Sequence, residues 1–213
     1  MSTDTWTFNG SAGWAVKGNW SGGVIPVSGD TVVIDQTLGG PYTISYNNAA
    51  ATTLQAVVLG NANATLTFDT VSNRTLAIST GGTGTLAVSA GTVIVGNTGT
   101  TTTDIINTNT VLLSGGSIAV NGRGELNIGT TTGSLGNIAE AGGSLGVSGG
   151  NLTASTFNVS GGSFSLSNGT ITTSGAASLS GTDTISGGTF TANGITIGSA
   201  LSLNGGTLAS SGG

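Results

Sequence analysis

The stretch Ser148–Leu208 reads SGGNLTASTFNVSGGSFSL, SNGTITTSGAASLSGTDTI, SGGTFTANGITIGSALSL and NGGTL when it is divided after apolar residues. The complete lines close on Leu166, Ile185 and Leu203, which follow one another at nearly equal intervals. Inside each line, apolar and polar residues alternate as they do in a strand with one buried side. A period of roughly 19 with strand-like alternation indicates a β-solenoid, in which one period is one coil.

Apolar pairs with one residue between them extend this pattern towards the N-terminus. Their first members are separated by one or two such periods, and the pairs are Leu66/Phe68, Leu86/Val88, Leu126/Ile128, Leu145/Val147, Phe164/Leu166 and Leu201/Leu203. Because residues two apart point to the same side of a strand, we predict that all these pairs stack in one apolar column. Asp183 falls in this column, where a lone buried carboxylate is costly, so we predict that Thr182–Thr184 forms a corner instead.

Glycines mark the turns between the predicted strands. The pattern apolar–Ser/Asn–Gly–Gly–polar–apolar occurs at Leu113–Ile118, Val147–Leu152, Val159–Phe164, Ile185–Phe190 and Leu203–Leu208. Glycine supplies the positive φ angles that tight corners need. Strict hexapeptide repeats, which would favour a left-handed solenoid, are missing. The predicted fold is therefore all-β, a right-handed parallel β-helix (β-solenoid) whose coils each span one period of the repeat.

Residues 1–46 differ in composition from the rest of the chain. They contain all the tryptophans, Trp6, Trp14 and Trp20, together with both tyrosines and both prolines. The end of a solenoid exposes an open core and unpaired strand edges, which must be covered. We therefore predict a capping segment at 1–46 and solenoid repeats over 47–213. A platform on which the aromatic rings bind sugars is the alternative function for these residues.

The composition excludes several classes of function. Only Lys17, Arg74 and Arg123 are basic and the net charge is −5, so a nucleic-acid partner is not expected. No apolar run approaches the ~20 residues of a membrane-spanning helix, so we expect no membrane insertion. Histidine and cysteine are absent, which removes zinc sites and most nucleophilic triads. We predict no enzymatic activity, no metal and no cofactor.

The carboxylates provide the strongest alternative, a polysaccharide-cleaving enzyme. Asp104 and Glu125 each precede a position of the predicted column, Ile105 and Leu126. On adjacent coils their side chains would stack outwards about 5 Å apart, near the spacing of a retaining glycosidase pair. Arg123 would lie on the same side as Glu125. The simpler interpretation is a solvated ion pair between Arg123 and a neighbouring acid, and ion binding is a further alternative. Asp30, after a glycine, is predicted to form a turn by accepting hydrogen bonds from nearby amides.

Small polar residues recur in register in the last three lines. They flank an apolar residue that points inwards, so they should point outwards in two columns, namely Asn151, Thr153, Thr170, Thr172, Thr189, Thr191 and Thr207. We predict that this array is a surface-contact ladder for glycans or other surfaces. It also resembles the ice-binding side of β-solenoid antifreeze proteins. Threonine is, however, a good strand former on any exposed side of a sheet.

The coils resemble those of filamentous-haemagglutinin-like adhesins, autotransporter passenger domains and long bacterial surface proteins built from β-strand repeats. The segments Asn19–Pro26 (NWSGGVIP) and Gly29–Ile34 (GDTVVI) are similar to an opening motif of that group. This resemblance implies secretion to the bacterial cell surface and a role in adhesion, biofilm or surface-layer structure. The start MSTDTWTFNG has no signal-peptide pattern, and the chain stops in mid-repeat, so we expect a longer parent protein.

The expected function is therefore that of a structural or adhesive module, serving as a stalk, an adhesin or a filament subunit. The expected partner is the protein itself, through end-to-end stacking or further repeats, with glycans or surfaces as possible ligands. The alternatives are a polysaccharide-binding or polysaccharide-cleaving β-helix and an ice-binding solenoid.

Overall fold

A computed structural model describes residues 1–37, 39–68, 71–79, 83–97, 101–129 and 137–212. In these ranges the chain is almost entirely strand and turn, with one 3₁₀ turn at Lys17–Asn19 and no helix suited to crossing a membrane. The strands are β1 Thr3–Thr5, β2 Ala12–Gly13, β3 Thr31–Ile34, β4 Tyr42–Tyr46, β5 Thr53–Leu54, β6 Ala56–Leu59, β7 Ala64–Phe68, β8 Arg74–Ile78, β9 Thr85–Val88, β10 Thr92–Val95, β11 Asp104–Thr108, β12 Thr110–Leu113, β13 Ser117–Asn121, β14 Gly124–Ile128, β15 Asn137–Glu140, β16 Ser144–Ala154, β17 Thr156–Val159, β18 Ser163–Thr173, β19 Ala177–Leu179, β20 Thr182–Ile185, β21 Thr189–Ala192, β22 Ile195–Ile197, β23 Leu201–Leu203 and β24 Thr207–Ser210.

The strands stack in parallel on three faces of a solenoid. The first face consists of β1, β3, β6, β9, β12, β15, β17, β19 and β22. The second face runs through β2, β4, β7, β10, β13, the first halves of β16 and β18, β20 and β23. The third face runs through β5, β8, β11, β14, the second halves of β16 and β18, β21 and β24. The predicted fold class, an all-β parallel β-solenoid, is confirmed.

The alternation of inward apolar and outward polar residues along the strands explains why this chain closes around a core. In most strands every second residue is buried and the residue between them is exposed or partly so, as in Tyr42–Tyr46 and Thr189–Ala192. The inward apolar residues of all three faces form one continuous cluster. Each fully buried Val, Leu, Ile or Phe contributes about 1.5–3 kcal/mol of burial free energy. A single coil cannot close such a core, so each coil depends on its neighbours.

The coil length predicted from the repeat holds from β15 onwards and is exceeded in most of the earlier coils. On the first face, Asn137 pairs with Thr156, and their side chains are joined by a hydrogen bond that spans 19 positions in the sequence. Towards the N-terminus the coils are longer. The hydrogen bond from Ser89 Oγ to the carbonyl oxygen of Leu59, also between neighbouring coils of this face, spans 30 positions. The parallel pairing of β6 with β9 is kept over all four residues of each strand.

The single apolar column predicted from the sequence was wrong. Leu145 stacks on Phe164 on the second face, as predicted. Leu126, however, pairs with Leu152 on the third face. Leu86 pairs with Val57 on the first face. The predicted column therefore combined members of three separate columns, because all three faces alternate with the same period of two.

Asp183 is not in a corner. It lies within β20, where it pairs with Phe164 of the preceding coil and Leu201 of the following one. Its side chain is buried. The strand therefore keeps its register, and the carboxyl group enters the core. The corner lies earlier, at Gly181, whose amide donates a hydrogen bond to Asp183 Oδ2 over 3.2 Å.

The Gly-Gly pattern marks corners, as predicted, but at two different edges of the solenoid. The pairs ending at Gly116 and Gly162 connect the first face to the second, and the pairs ending at Gly188 and Gly206 connect the second to the third. These second glycines all have positive φ, 75° at Gly188 for example. A Cβ on Gly188 would lie 2.6 Å from the carbonyl oxygen of Gly169 in the preceding coil. The corners thus need glycine both for conformation and for close stacking.

The segment 1–46 continues the same sheets. Strand β1 pairs in parallel with β3, and β4 pairs with β7 over the full strand Tyr42–Tyr46. The boundary at residue 46 therefore does not coincide with a break in strand stacking. What distinguishes this segment is an aromatic cluster at the N-terminal end of the core.

Candidate functional site

The third face presents a regular polar surface in the last coils. We call its outward residues the threonine face, which comprises Asn151, Thr153, Thr170, Thr172, Thr189, Thr191 and Thr207. Asn151, Thr170, Thr189 and Thr207 pair in one column, and Thr153, Thr172 and Thr191 pair in the other. Their side chains are exposed or half-buried. The structure thus places these residues in the two columns expected from the sequence, and their role as a contact surface stays a prediction.

The spacing of the threonine face follows from strand geometry. Neighbouring coils bring equivalent side chains about 4.8 Å apart along the stack, and residues two apart along a strand lie about 6.6 Å apart. Hydroxyl and amide groups at these points are both donors and acceptors and carry no charge. The surface is therefore a grid of neutral hydrogen-bonding groups, fixed by the backbone ladder beneath it.

Asparagines extend one of these columns towards the N-terminus, which sequence reasoning missed. Thr153 Oγ1 donates a hydrogen bond to Asn127 Oδ1 over 2.9 Å, and Asn127 Nδ2 donates to Asn107 Oδ1 over 3.2 Å. These three residues are 26 and 20 apart in sequence. An unequal spacing of this kind hides the column from a search for one fixed period.

The proposed carboxylate pair Asp104 and Glu125 is not formed. Asp104 points inwards and is buried, whereas Glu125 points outwards. In the ladder, Glu125 pairs with Ile105 and with Asn151, and Asp104 pairs with Gly124. The inward apolar position of β11 is Ile106, one residue later than predicted. This shift places the two carboxyl groups on opposite sides of the sheet, so they cannot serve as a stacked glycosidase pair.

The three tryptophans form a buried edge-to-face cluster. The ring centroids of Trp14 and Trp20 are 4.7 Å apart, those of Trp6 and Trp20 are 5.1 Å apart, and Trp14 packs on Tyr46 at 5.2 Å. Trp20 Nε1 donates to the carbonyl oxygen of Trp14 over 2.8 Å. Buried rings present no open face on which a sugar could stack, which disfavours the sugar platform. The position at the end of the core is compatible with capping.

Two buried carboxyl groups lie on inward positions near one corner, and only one of them was noticed in the sequence. Glu140 ends β15, and its Oε1 accepts a hydrogen bond from the Ser163 amide of the next coil over 3.1 Å. Asp183 lies one coil further. Glu140 Oε2 and Asp183 Oδ1 are buried and have no hydrogen-bond partner. The alternation Ile138–Ala139–Glu140 could have identified Glu140 as inward-facing.

Burial shifts both of these acids towards the protonated form. The pKa of Glu140 is raised to about 8, chiefly by burial; the hydrogen bond from the Ser163 amide acts to lower it and the nearby Asp183 carboxyl acts to raise it. Burial also raises the pKa of Asp183, despite backbone hydrogen bonds from Gly181 and Phe164 that lower it. At neutral pH Glu140 is therefore mainly a neutral acid in the core.

Asp30 forms the predicted turn near the N-terminus. Its two carboxylate oxygens accept hydrogen bonds from the amides of Ser2 over 2.8 Å and Val27 over 2.9 Å. Burial acts to raise the pKa of Asp30, but these hydrogen bonds outweigh it and the net shift is downwards. Burial and the neighbouring Asp30 together raise the pKa of Asp4. The burial of the Asp30 carboxylate and its position beside Asp4 are thus explained by turn formation.

Among the residues that the structure describes, no three acidic side chains lie close enough together to hold a metal ion.

Comparison of the whole chain with protein-family models, with curated proteins and with solved structures gives no significant match.

Proposed function

We propose that the chain is a structural and adhesive module of a long, secreted bacterial cell-surface protein. The observation that carries this proposal is the threonine face, a grid of neutral polar side chains held in register on a stack of parallel coils. Such a surface suits an extended partner with repeating hydroxyl groups, as a polysaccharide has.

The mechanism is mechanical and multivalent. Parallel ladders between neighbouring coils on all three faces keep the contact groups at fixed distances along the stack. Each hydroxyl contact is weak, but contacts linked through one rigid scaffold act together and raise the apparent affinity well above that of a single contact. The shortage of charge, 5% of residues, limits long-range electrostatic attraction and leaves shape and hydrogen bonding to determine what binds.

Binding to insoluble polysaccharide tests the proposal. The full chain is mixed with cellulose, chitin or bacterial cell-wall particles, and the fraction that sediments is measured. We expect binding to at least one of them, and we expect Thr172→Lys to weaken it roughly tenfold, because a lysine side chain protrudes beyond the neighbouring threonines of the grid. Asn158→Lys is the matched control, since Asn158 is also exposed and outward but lies on the first face. Absence of sedimentation, or equal losses in both variants, contradicts the proposal.

Ice binding is the second candidate, because two columns of mostly threonine side chains repeat from coil to coil on this face. Thermal hysteresis of the purified chain separates the two functions. A freezing-point gap that Thr172→Lys abolishes and Asn158→Lys preserves, without polysaccharide binding, would assign the face to ice. Release of reducing sugars from the same particles would instead favour the polysaccharide-cleaving alternative.

A further inference from the structure

The sequence from Leu126 onwards contains only two charged side chains, Glu140 and Asp183, and the fold buries both. Glu140 is 0% exposed and Asp183 is 2% exposed. A surface position would keep either carboxyl group hydrated, whereas an ionised carboxylate in an apolar core is costly unless an opposite charge pairs with it. Both charges of this part of the chain therefore lie where hydration is lost.

Both carboxyl groups bind the start of β18, from the coils on either side of it. Glu140 lies one coil earlier, in β15, and its Oε1 accepts a hydrogen bond from the Ser163 amide over 3.1 Å. Asp183 lies one coil later, in β20, and accepts hydrogen bonds from the amides of Phe164 and Gly181. The two acids thus connect three successive coils through two consecutive residues of one strand. Each of them also keeps a second oxygen that is buried and has no hydrogen-bond partner.

Within the described chain, no opposite charge is available to either acid from the strands packed around them. These strands, β12, β16, β17, β18, β19 and β23, contain neither a basic nor a second acidic residue. The corner segments 141–143, 160–162 and 180–181 consist of glycine, serine and alanine. The two carboxyl groups are therefore the only titratable groups that face each other here, and the Asp183 carboxyl acts against ionisation of Glu140.

Glycines of this corner lie directly against both carboxyl groups. A Cβ added to Gly162 would lie 2.9 Å from Glu140 Oε1, and one added to Gly181 would lie 3.2 Å from Asp183 Oδ1. Gly162 itself is exposed to solvent. The path from solvent to the acids is therefore short and contains no bulky side chain, so a small opening of the corner is enough to hydrate them.

We propose that Glu140 and Asp183 form a proton-dependent latch on the coil that contains β17 and β18. While at least one of them is protonated, the corner stays closed. When both are ionised, two buried negative charges repel each other and the corner opens to water, while the neighbouring coils remain stacked. The proton passes to the solvent. This device depends on the fold and not on what the threonine face binds, so either proposal can fail without the other.

Burial places the opening in the alkaline range. It raises the pKa of both acids, that of Glu140 to about 8. A group whose pKa is raised in the closed form stabilises that form below its ordinary pKa, and this stabilisation is lost as the pH rises through the raised value. We therefore expect the corner to be closed in mild acid and to open increasingly above about pH 8.

Amide hydrogen exchange, followed residue by residue by NMR at pH 6 and pH 9, tests the latch. After correction for the intrinsic pH dependence of exchange, we expect protection of the Ser163, Phe164 and Gly181 amides to fall roughly tenfold more than that of Thr170 and Thr172. The last two lie in the second half of the same strand, on the third face. Equal changes in both sets would show that the chain opens as a whole, and unchanged protection would show that the corner stays closed. Either result overturns the proposal.

Two variants distinguish a pair of acids from a single one. Glu140→Gln and Asp183→Asn each leave one ionisable group at the corner, so each should keep it closed at pH 9. Glu125→Gln is the matched control, since it removes an outward acid and should open as the natural chain does. If Asp183→Asn opens as fully as the natural chain, Glu140 acts alone and the latch is disproved. The comparison of amides within the natural chain decides the matter even where a variant does not fold.

Discussion

The free energy of unfolding is expected to fall by about 2 kcal/mol between pH 5 and pH 9, chiefly because of Glu140, since solvent screening reduces the roughly 4 kcal/mol that the full pKa shift would give. Its pKa in the folded chain is about 8, against 4.5 for an ordinary glutamate. The folded state therefore holds this proton more tightly than the unfolded state. The stabilisation is complete below pH 4.5 and is lost progressively as the pH rises to about 8. Most proteins with paired carboxylates show the opposite trend, because their free energy of unfolding falls as the pH is lowered.

Asp183, Asp4 and Asp30 modify this profile without reversing it. The pKa values of Asp183 and Asp4 are also raised, by burial first, so their contributions are also lost as the pH rises above 3.8. The pKa of Asp30 is lowered, and its contribution is lost only as the pH falls below 3.8. The decline between pH 5 and pH 9 is therefore assigned mainly to the buried corner that holds Glu140 and Asp183.

Glu140→Gln is the direct variant, because glutamine resembles the protonated acid in shape and cannot ionise. Urea unfolding across the pH range should show a flatter profile and, at pH 9, a variant more stable than the natural chain. Glu125→Gln removes the same charge at an outward position and should leave the decline unchanged. A natural chain with equal stability at pH 5 and pH 9, or a Glu140→Gln profile parallel to it, would contradict this account.

Phe164→Ala is expected to destabilise the fold by about 3–5 kcal/mol, since it removes a buried ring that the neighbouring coils cannot replace. Phe164, Phe157 and Phe190 form a cluster, with ring centroids 5.1 Å apart for Phe157 and Phe164 and 6.0 Å apart for Phe164 and Phe190. This cluster joins all three faces, because its members lie on β18, β17 and β21. Its loss should weaken several coils at once.

The matched control is Phe8→Ala. Phe8 is 42% exposed and contacts Trp6 edge-on with centroids 6.4 Å apart. Removing the Phe8 ring should lower the free energy of unfolding by less than about 1 kcal/mol, because this ring buries little apolar area in the folded chain. Thermal or urea unfolding of both variants measures the difference. Equal effects of the two substitutions would show that Phe164 is not part of a continuous core.

Period-two alternation was sufficient to predict a parallel stack, and the Gly-Gly motif located its corners. The register was predictable only where coils have nearly constant length, as for Leu145 and Phe164. It failed for Leu126, because every face alternates identically and nothing in the local pattern says which face a strand belongs to. Because the connections vary in length, a strand can be assigned to any of several faces and still bury the same residues.

The inward positions of the two buried acids were not predicted from the sequence, for a different reason. A carboxylate is usually outside, so Asp183 was assigned to a corner and Glu140 was not considered. Both remain on inward positions because strand pairing on either side fixes the backbone, as Phe164 and Leu201 do for Asp183. Protonation then reduces the cost of burial. The register of the ladder, and not the polarity of one residue, decided where these side chains point.

Disulfide trapping between neighbouring coils tests the three-faced stack most directly. The structure pairs Asn127 with Thr153 across adjacent strands of the third face. Their Cα atoms should lie about 4.8 Å apart, within the range that a disulfide spans. Coils of one constant length would instead place Asn127 beside Gly146, as the single column predicted from the sequence requires. We therefore expect the double cysteine variant at Asn127 and Thr153 to crosslink within the folded monomer, and the variant at Asn127 and Gly146 to remain reduced. The reverse result would contradict the three separate columns on which the threonine face depends.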